Sequence, residues 1–385
     1  MQPIPEEFVK MLHDLMGDEA DQLIEALSEA PVTSVRLNKR KPGAEFADSE
    51  PVAWCKSGLY LKERPEFIFD PLLHAGAYYV QEASSMIYET VVRELLEKYL
   101  LLNRIKEGKC LKVLDLCAAP GGKTTAIINA IPDGSEVTAN EYSRKRVEAL
   151  KENIERWGYP NVKITNRDSS YYAEQGENYD IVAVDAPCSG EGMMRKEEIA
   201  RKQWCPELVD QCASLQKEIL RNAEKALRPG GFLIYSTCTF NRCENEENAE
   251  FIANELGLEP IDLGFSEDWG IQKGFSTYLP VLRFMPHKTK GEGLFLSVFR
   301  KTGELIMDKT PYNPRTGEMG LKYPEVDVDK ETAIKYLKRE SITLPPEAPK
   351  GMVTITYRNL PLGPAKNIGS RANNLYPKNR RILKR

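Results

Sequence analysis

From Leu111 onward the chain repeats one unit: a short apolar run followed by a segment of helical period. Strands are expected at 111–116, 136–140, 162–165, 179–184 and 231–236, and helices at 122–131, 143–157, 206–228 and 244–256. Runs such as Lys112-Val-Leu-Asp-Leu and Asp180-Ile-Val-Ala-Val carry apolar residues without alternation, as strands covered on both faces do. Helix 143–157 places Val147, Leu150, Ile154 and Trp157 on one side, the pattern of a crossover helix covering a sheet. Strand-helix alternation of this kind folds as an α/β, doubly wound parallel sheet. Gly293–Phe299 adds a last strand, read as antiparallel at the far end of the sheet.

The flanks follow other patterns. Phe8, Met11, Leu12, Leu15, Leu23, Ile24 and Leu27 recur at helical spacing before Pro31, and a strand from Ser34 runs into the cations Arg36, Lys39, Arg40 and Lys41. That cluster reads equally as a polyanion contact or a solvated turn. A helix is expected over 83–101, a linker over 302–330, a short helix near 331–338 and a strand over 352–357. The chain therefore divides into 1–100, a core at 101–301, the linker and a small module at 331–385. The net charge of −4 hides a cationic end: residues 351–385 hold Arg358, Lys366, Arg371, Lys378, Arg380, Arg381, Lys384 and Arg385 and no acid. Such an end suits a nucleic acid. With no apolar run approaching ~20 residues and no leader pattern, a cytoplasmic protein is expected. Eight Cys without a Cys-x-x-Cys pair, and three His, provide neither a zinc framework nor a disulfide scaffold.

At the first strand end lies Cys117-Ala118-Ala119-Pro120-Gly121-Gly122-Lys123, a glycine turn opening a helix. Its backbone can approach a ligand closely beneath free helical amides. Glu141, twenty residues after Gly121, ends the next strand, where such folds set a carboxylate on ribose hydroxyls. A P-loop needs Gly at 117, which is Cys, and a dinucleotide site needs Gly-x-Gly-x-x-Gly. An adenosyl cofactor without a pyrophosphate fits better. Asp168 and Asp185 follow later strands, Asp168 on the adenine side or as a helix cap, Asp185 between cofactor and substrate.

Cys188, in Asp185-Ala-Pro-Cys-Ser-Gly190, and Cys238, in Ser236-Thr-Cys-Thr-Phe240, each end a strand on the expected ligand side. Carbon 5 of cytosine becomes nucleophilic only after addition at carbon 6, which a thiolate performs well. One thiol can attack and a second can assist release; a carboxyl at ring nitrogen 3 would stabilise the charge that develops. The remaining Cys read as packing residues.

These motifs, with Glu244-Asn-Glu-Glu-Asn248, resemble the Nop/Sun family of RNA cytosine-5 methyltransferases. The likeness extends to Asp70–Met86, Glu191–Lys196, Pro286-His287, Gly291–Phe295 and, in the tail, Pro361–Lys366 and Asn373–Lys378, which is similar to the PUA-like module of the bacterial branch acting on small-subunit ribosomal RNA. The resemblance implies a Rossmann-like class I methyltransferase core with an α+β N-terminal RNA-binding domain and a small β-rich PUA-like module. It implies Cys238 as nucleophile, Cys188 as release residue and Asp185 beside the target base. S-adenosyl-L-methionine would be held by Cys117–Lys123, Glu141, Asp168 and Asp185. No metal is implied, and a monomer is expected. The substrate would be a cytosine of 16S ribosomal RNA or the 30S particle, with tRNA as alternative; a ribosome assembly factor without catalysis is the rival, disfavoured by two intact thiols. A flipped base needs phosphate contacts elsewhere: Arg36, Lys39, Arg40, Lys41, Arg195, Lys196, Lys366, Arg371, Lys378, Arg380 and Arg381 are the candidates. Tyr78, Tyr79, Tyr171 and Tyr172 could stack bases.

Overall fold

A computed structural model describes residues 3–99, 110–304 and 323–383. Sixteen strands among them form three sheets. The N-terminal sheet contains β1 (Thr33–Leu37), β2 (Glu50–Val52), β3 (Cys55–Leu61) and β4 (Tyr78–Val80) in the order β2-β3-β1-β4, all antiparallel. The central sheet contains β5 (Lys112–Asp115), β6 (Glu136–Asn140), β7 (Val162–Thr165), β8 (Tyr179–Asp185), β9 (Leu227–Thr237), β10 (Glu259–Pro260), β11 (Val281–Phe284) and β12 (Leu294–Arg300). Its order is β10-β12-β9-β8-β5-β6-β7, with β11 paired to β12. The C-terminal sheet runs β13 (Glu325–Asp327), β14 (Gly351–Tyr357), β15 (Leu360–Asn367) and β16 (Ala372–Asn374).

In the central sheet β5 to β9 pair in parallel, and β5 and β8 are apolar on both faces, as their unbroken runs require: Val113, Leu114 and residues 181–184 are all buried. From β5 the chain builds outward through β6 to β7, then crosses back to place β8 on the other side of β5. The crevice between the ends of β5 and β8 is thus the switch point where open α/β sheets bind ligands. The doubly wound core is as the sequence implies, with two differences. The last strand is antiparallel but not terminal, since β10 and β11 both pair with it. Strand β9 begins at Leu227, inside the helix expected over 206–228: Leu227 pairs with Tyr179, and Arg228-Pro-Gly-Gly bulges before regular pairing resumes at Phe232.

The first hundred residues do not bury their apolar surface alone. Helix Ile87–Lys98 lays Tyr88, Val91, Val92 and Leu95 into the same apolar cluster as Val113, Ile127, Val137 and Ile234 of the core. Burial of such side chains stabilises by about 1.5–3 kcal/mol each, so this segment and the core are held by one continuous interior. The helical pattern before Pro31 is two helices, Glu6–Met16 and Glu19–Ala26, whose Phe8 and Leu23 pack with Trp204, Met194 and Phe240.

The Arg36–Lys41 cluster lies in this junction, and its expected role as an RNA contact is corrected for Arg36, which is buried, and for Lys41, whose ammonium is spent on carbonyls; Lys39 stays exposed and Arg40 half-buried. Arg36 is fully buried against the Trp157 ring; it donates to Gln81 Oε1 at 2.7 Å, the Thr125 carbonyl at 3.1 Å and Thr125 Oγ1 at 2.5 Å. Lys39 pairs with buried Glu89 at 2.7 Å, and Arg40 with Asp133. Lys41 donates to the Ala75 and Arg156 carbonyls, and burial lowers its pKa to about 8. These cations staple β1 and its following turn to the core.

The C-terminal module packs helix Lys330–Leu337 on its sheet, with Tyr336, Leu337, Val353 and Ile355 inside. It rests on helix Pro71–Ala75 through Ala75, and Arg380 pairs with Glu155 of helix Arg144–Trp157. The linker expected at 302–330 differs at its end, where Glu325–Asp327 pairs in parallel with β14; residues 305–322 of it lie outside the described residues. Among the described residues no helix is long and apolar enough to cross a membrane.

Two substitutions test the junction. Arg36→Ala strands several buried acceptors at ~1–3 kcal/mol each and should lower the thermal midpoint by several degrees. Gly76 has φ +77°, and a Cβ there would lie 1.9 Å from the Arg156 carbonyl oxygen, so Gly76→Ala should do the same. An unchanged midpoint in either variant would contradict a shared interior.

Candidate active site

Strand β5 ends at buried Asp115, and the chain turns through Cys117–Gly121 into helix Gly122–Ala130. Gly121 has φ +108°, and a Cβ there would come within 3.3 Å of Leu150; glycine is what lets the turn lie flat on helix Arg144–Trp157. Burial pushes the Asp115 carboxyl up to about 7, while Thr124 Oγ1 donates to it at 2.6 Å and ties turn to strand. From β6 the chain presents Glu141, buried, which accepts from Ser143 N at 2.8 Å and Ala119 N at 3.3 Å. Asp168 caps helix Ser169–Gln175 through Ser170 N, so the cap reading holds while its carboxyl also faces the crevice.

The turn, Glu141 and Asp168 border a cavity of about 970 Å³. Of the expected cofactor residues, Cys117, Ala118, Ala119, Pro120, Gly122, Lys123, Glu141, Asp168 and Asp185 all line it; Gly121 does not, its place being beneath the turn. The adenosyl group fits this donor set on two observations. The turn lines the cavity with the bare backbone of Gly122, and beside it Gln81 Nε2, at the cavity wall, is buried without a partner.

The rest of the site is built by β8 and β9. Their register sets Asp185 beside Ser236, whose Oγ donates to Asp185 Oδ1 at 2.8 Å and meets Tyr88 OH at 2.8 Å. Lys123 Nζ stands 2.7 Å from Asp185 Oδ2. Burial alone would strip the Lys123 proton, but Asp185 outweighs it and holds the ammonium above its usual range. Just beyond the two strand ends Cys188 and Cys238 enter the same cavity with their sulfurs 3.3 Å apart. The hydrogen bond with Cys238, together with burial, drives the Cys188 thiol well above its usual range.

Several lining residues were not assigned to the site one by one. Tyr79, Gln81, Glu82 and Ser85 arrive from the N-terminal segment, and Glu292 from the turn before β12. Of the two residues that orient Asp185, Ser236 stands in the motif that holds Cys238, whereas Tyr88 sits on a helix where nothing marks it. The stacking candidates separate: Tyr78 and Tyr172 are buried with bonded hydroxyls, Tyr79 lines the cavity and Tyr171 stands at the surface edge-on to Tyr172.

Of the remaining cations, Arg195 is a second correction. It is 4 % exposed and bonded to the Gly291 and Ala30 carbonyls, whereas Lys196 lines the cavity and pairs with Glu292 at 3.3 Å. Lys366, Arg371, Lys378 and Arg381 are exposed on the C-terminal module, but Arg380 is committed to Glu155. Among the described residues no His, Cys, Asp and Glu group is arranged to hold a metal.

The family model for 16S rRNA methyltransferase RsmB/F matches residues 100–300, that for the N-terminal domain of 16S rRNA methyltransferase RsmF matches 4–83, and that for the methyltransferase RsmF PUA domain matches 323–382. Ribosomal RNA small subunit methyltransferase F of Pectobacterium carotovorum is 32% identical over 340 residues, 83% of this chain and 66% of the relative. That of Photobacterium profundum is 31% identical over 366 residues, 90% and 73% of the two chains. The chain thus spans about 66% of the length of the first of these relatives. Crystal structures of NSun6 with SFG and of a methyltransferase homolog protein, both from Pyrococcus horikoshii, share the fold with a TM-score of 0.64 each. They are 21% and 24% identical, cover 78% and 77% of this chain, and are themselves covered over 99% and 95%. Matched through its core and at both flanks, the chain belongs to the 16S rRNA methyltransferase RsmB/F family.

Proposed function

We propose that this protein methylates carbon 5 of a cytosine in 16S ribosomal RNA, presented on the 30S particle in the cytoplasm. The observation that carries the reading is the pair of sulfurs 3.3 Å apart in the cavity that the glycine turn also lines. S-adenosyl-L-methionine, held by the turn at 117–123 with Glu141 and Asp168, supplies a methyl group on a sulfonium centre. The chain's own residues make the base able to receive it.

Cys238 Sγ adds to carbon 6 of the cytosine, forming a carbon–sulfur bond and moving the electron pair of the ring double bond toward carbon 5. Asp185 faces ring nitrogen 3, and the Lys123 ammonium beside it is the reservoir for the proton that neutralises the ring as charge develops. Ser236 and Tyr88 keep Asp185 from rotating away. After carbon 5 is methylated, its proton is lost to a base, the carbon–sulfur bond breaks and Cys238 leaves as thiolate. The Cys188 thiol, 3.3 Å from Cys238 Sγ, gives up its proton to neutralise it. Without that proton the adduct persists.

The base must be unpaired or flipped out to reach this depth, at a cost of roughly a few kcal/mol. Exposed Lys366, Arg371, Lys378 and Arg381 offset it by contacting phosphates away from the target.

Methylation by the purified protein should be found on 30S particles and not on tRNA; activity confined to tRNA would overturn the substrate assigned. Cys238→Ala should abolish turnover, by at least about 10³-fold, with RNA binding retained. Cys188→Ala should leave RNA attached to protein in denaturing gels, and absence of that species would contradict the division of roles. Replacing Lys366, Arg371, Lys378 and Arg381 together by Ala should weaken RNA binding and flatten its dependence on log salt by up to about four phosphate contacts; an unaltered slope would remove the tail from the interface.

A further inference from the structure

Behind the two thiols lies a buried polar network that the reaction as described does not use. Glu191, three residues after Cys188, sends its carboxylate across to the other cysteine loop: Oε2 accepts from the amides of Phe240 and, at 3.0 Å, Asn241. Glu244, six residues after Cys238, reaches in the opposite direction: Oε2 accepts from the amide of Ser189, next to Cys188, at 3.0 Å. Asn241 Nδ2 bridges the two carboxylates, donating to Glu191 Oε1 and Glu244 Oε1 at 2.8 Å each. Gln216 of helix Pro206–Ala226 completes the frame, donating to Glu244 Oε2 at 2.7 Å and to the Pro187 carbonyl at 2.9 Å. Cys188 is therefore gripped through the backbone on both sides.

Both glutamates are fully buried, and neither has an ion-pair partner among the described residues. Burying two neighbouring carboxylates without a cation is expensive. Two apolar side chains would pack here at lower cost if stability alone were served. What the carboxylates provide is geometry, since each belongs to one thiol's segment and accepts from the backbone of the other.

We propose that Glu191 and Glu244 form a crossed clasp of positioning residues that fixes the separation of the two sulfurs, Glu191 setting Cys238 for addition and Glu244 setting Cys188 for release. The clasp rests on the two-thiol reading above. Glu244 also acts by charge. Its charge adds to the upward push on the Cys188 thiol, a smaller influence than the neighbouring sulfur and burial.

The isosteric variants Glu244→Gln and Glu191→Gln test this, since each puts an amide NH₂ where a donor already points. Covalent RNA–protein adduct is followed in single-turnover reactions on 30S particles, with Cys188→Ala as the trapping reference and thermal midpoints as the control for folding. In Glu244→Gln adduct should form at near the wild-type rate but decay about tenfold to a hundredfold more slowly, the range expected for a reacting group displaced by a fraction of an ångström to an ångström. In Glu191→Gln formation should slow by a similar factor and no adduct should accumulate. Should one variant not fold, the other is read alone against the same reference. Equal slowing of both steps in both variants, in proportion to lost stability, would reduce the network to a structural role and overturn the clasp. If Cys188→Ala itself traps nothing, the clasp falls together with the two-thiol reading, whereas trapping by Cys188→Ala without the opposed effects rejects the clasp alone.

Discussion

The parallel pairing of β8 with β9 is the constraint on which the rest of this molecule depends. Its register sets Asp185 opposite Ser236, and the chain reaches a cysteine three residues beyond the end of β8 and at the first residue beyond β9. A slip of one residue would turn every side chain of β9 to the other face. The buried runs on both strands resist that slip: Ile181, Val182, Ala183 and Val184 face Phe232, Leu233, Ile234 and Tyr235 with almost no exposure. Thus an apolar packing requirement far from any ligand fixes where two sulfurs meet.

Around this register the fold buries charge in compensated pairs. Lys123 meets Asp185 at the cavity wall, and Arg283 of β11, itself buried, holds Glu246 through two short hydrogen bonds and also donates to the Phe240 carbonyl at 2.8 Å. Removing one partner of such a pair costs about 3–5 kcal/mol because the other charge is stranded. The cysteine loops are thereby braced from the sheet side by Arg283 and from the helix side by Gln216. This bracing suits the proposed reaction, whose two sulfur steps need different neighbours at one atom.

The core was legible because its signals are local. Unbroken apolar runs, a glycine turn and acids at strand ends are properties of short segments, and they located the turn at 117–123, Glu141, Asp185 and both thiols. What escaped depends on contacts between distant segments. Arg36 and Arg195 read as surface cations, since a guanidinium in sequence carries no mark of burial; only the fold shows their donors spent on carbonyls of the core and the N-terminal segment. Gln81 and Glu292 reach the cavity, and Tyr88 reaches Ser236 behind Asp185, from elements whose own periodicity says nothing of a site. Strands β10 and β11 were missed for a related reason, being too short to show a period before pairing with β12.

The central claim is that two thiols share one pocket and that Cys238 is the one that bonds to the base. Peptide mapping of the trapped RNA–protein species by mass spectrometry, after nuclease and protease digestion, tests it most directly. The account predicts a residual nucleotide mass on the peptide carrying Cys238 and an unmodified peptide around position 188 in the Cys188→Ala protein. In a Cys238→Ala protein, a nucleotide attached to Cys188 would contradict it.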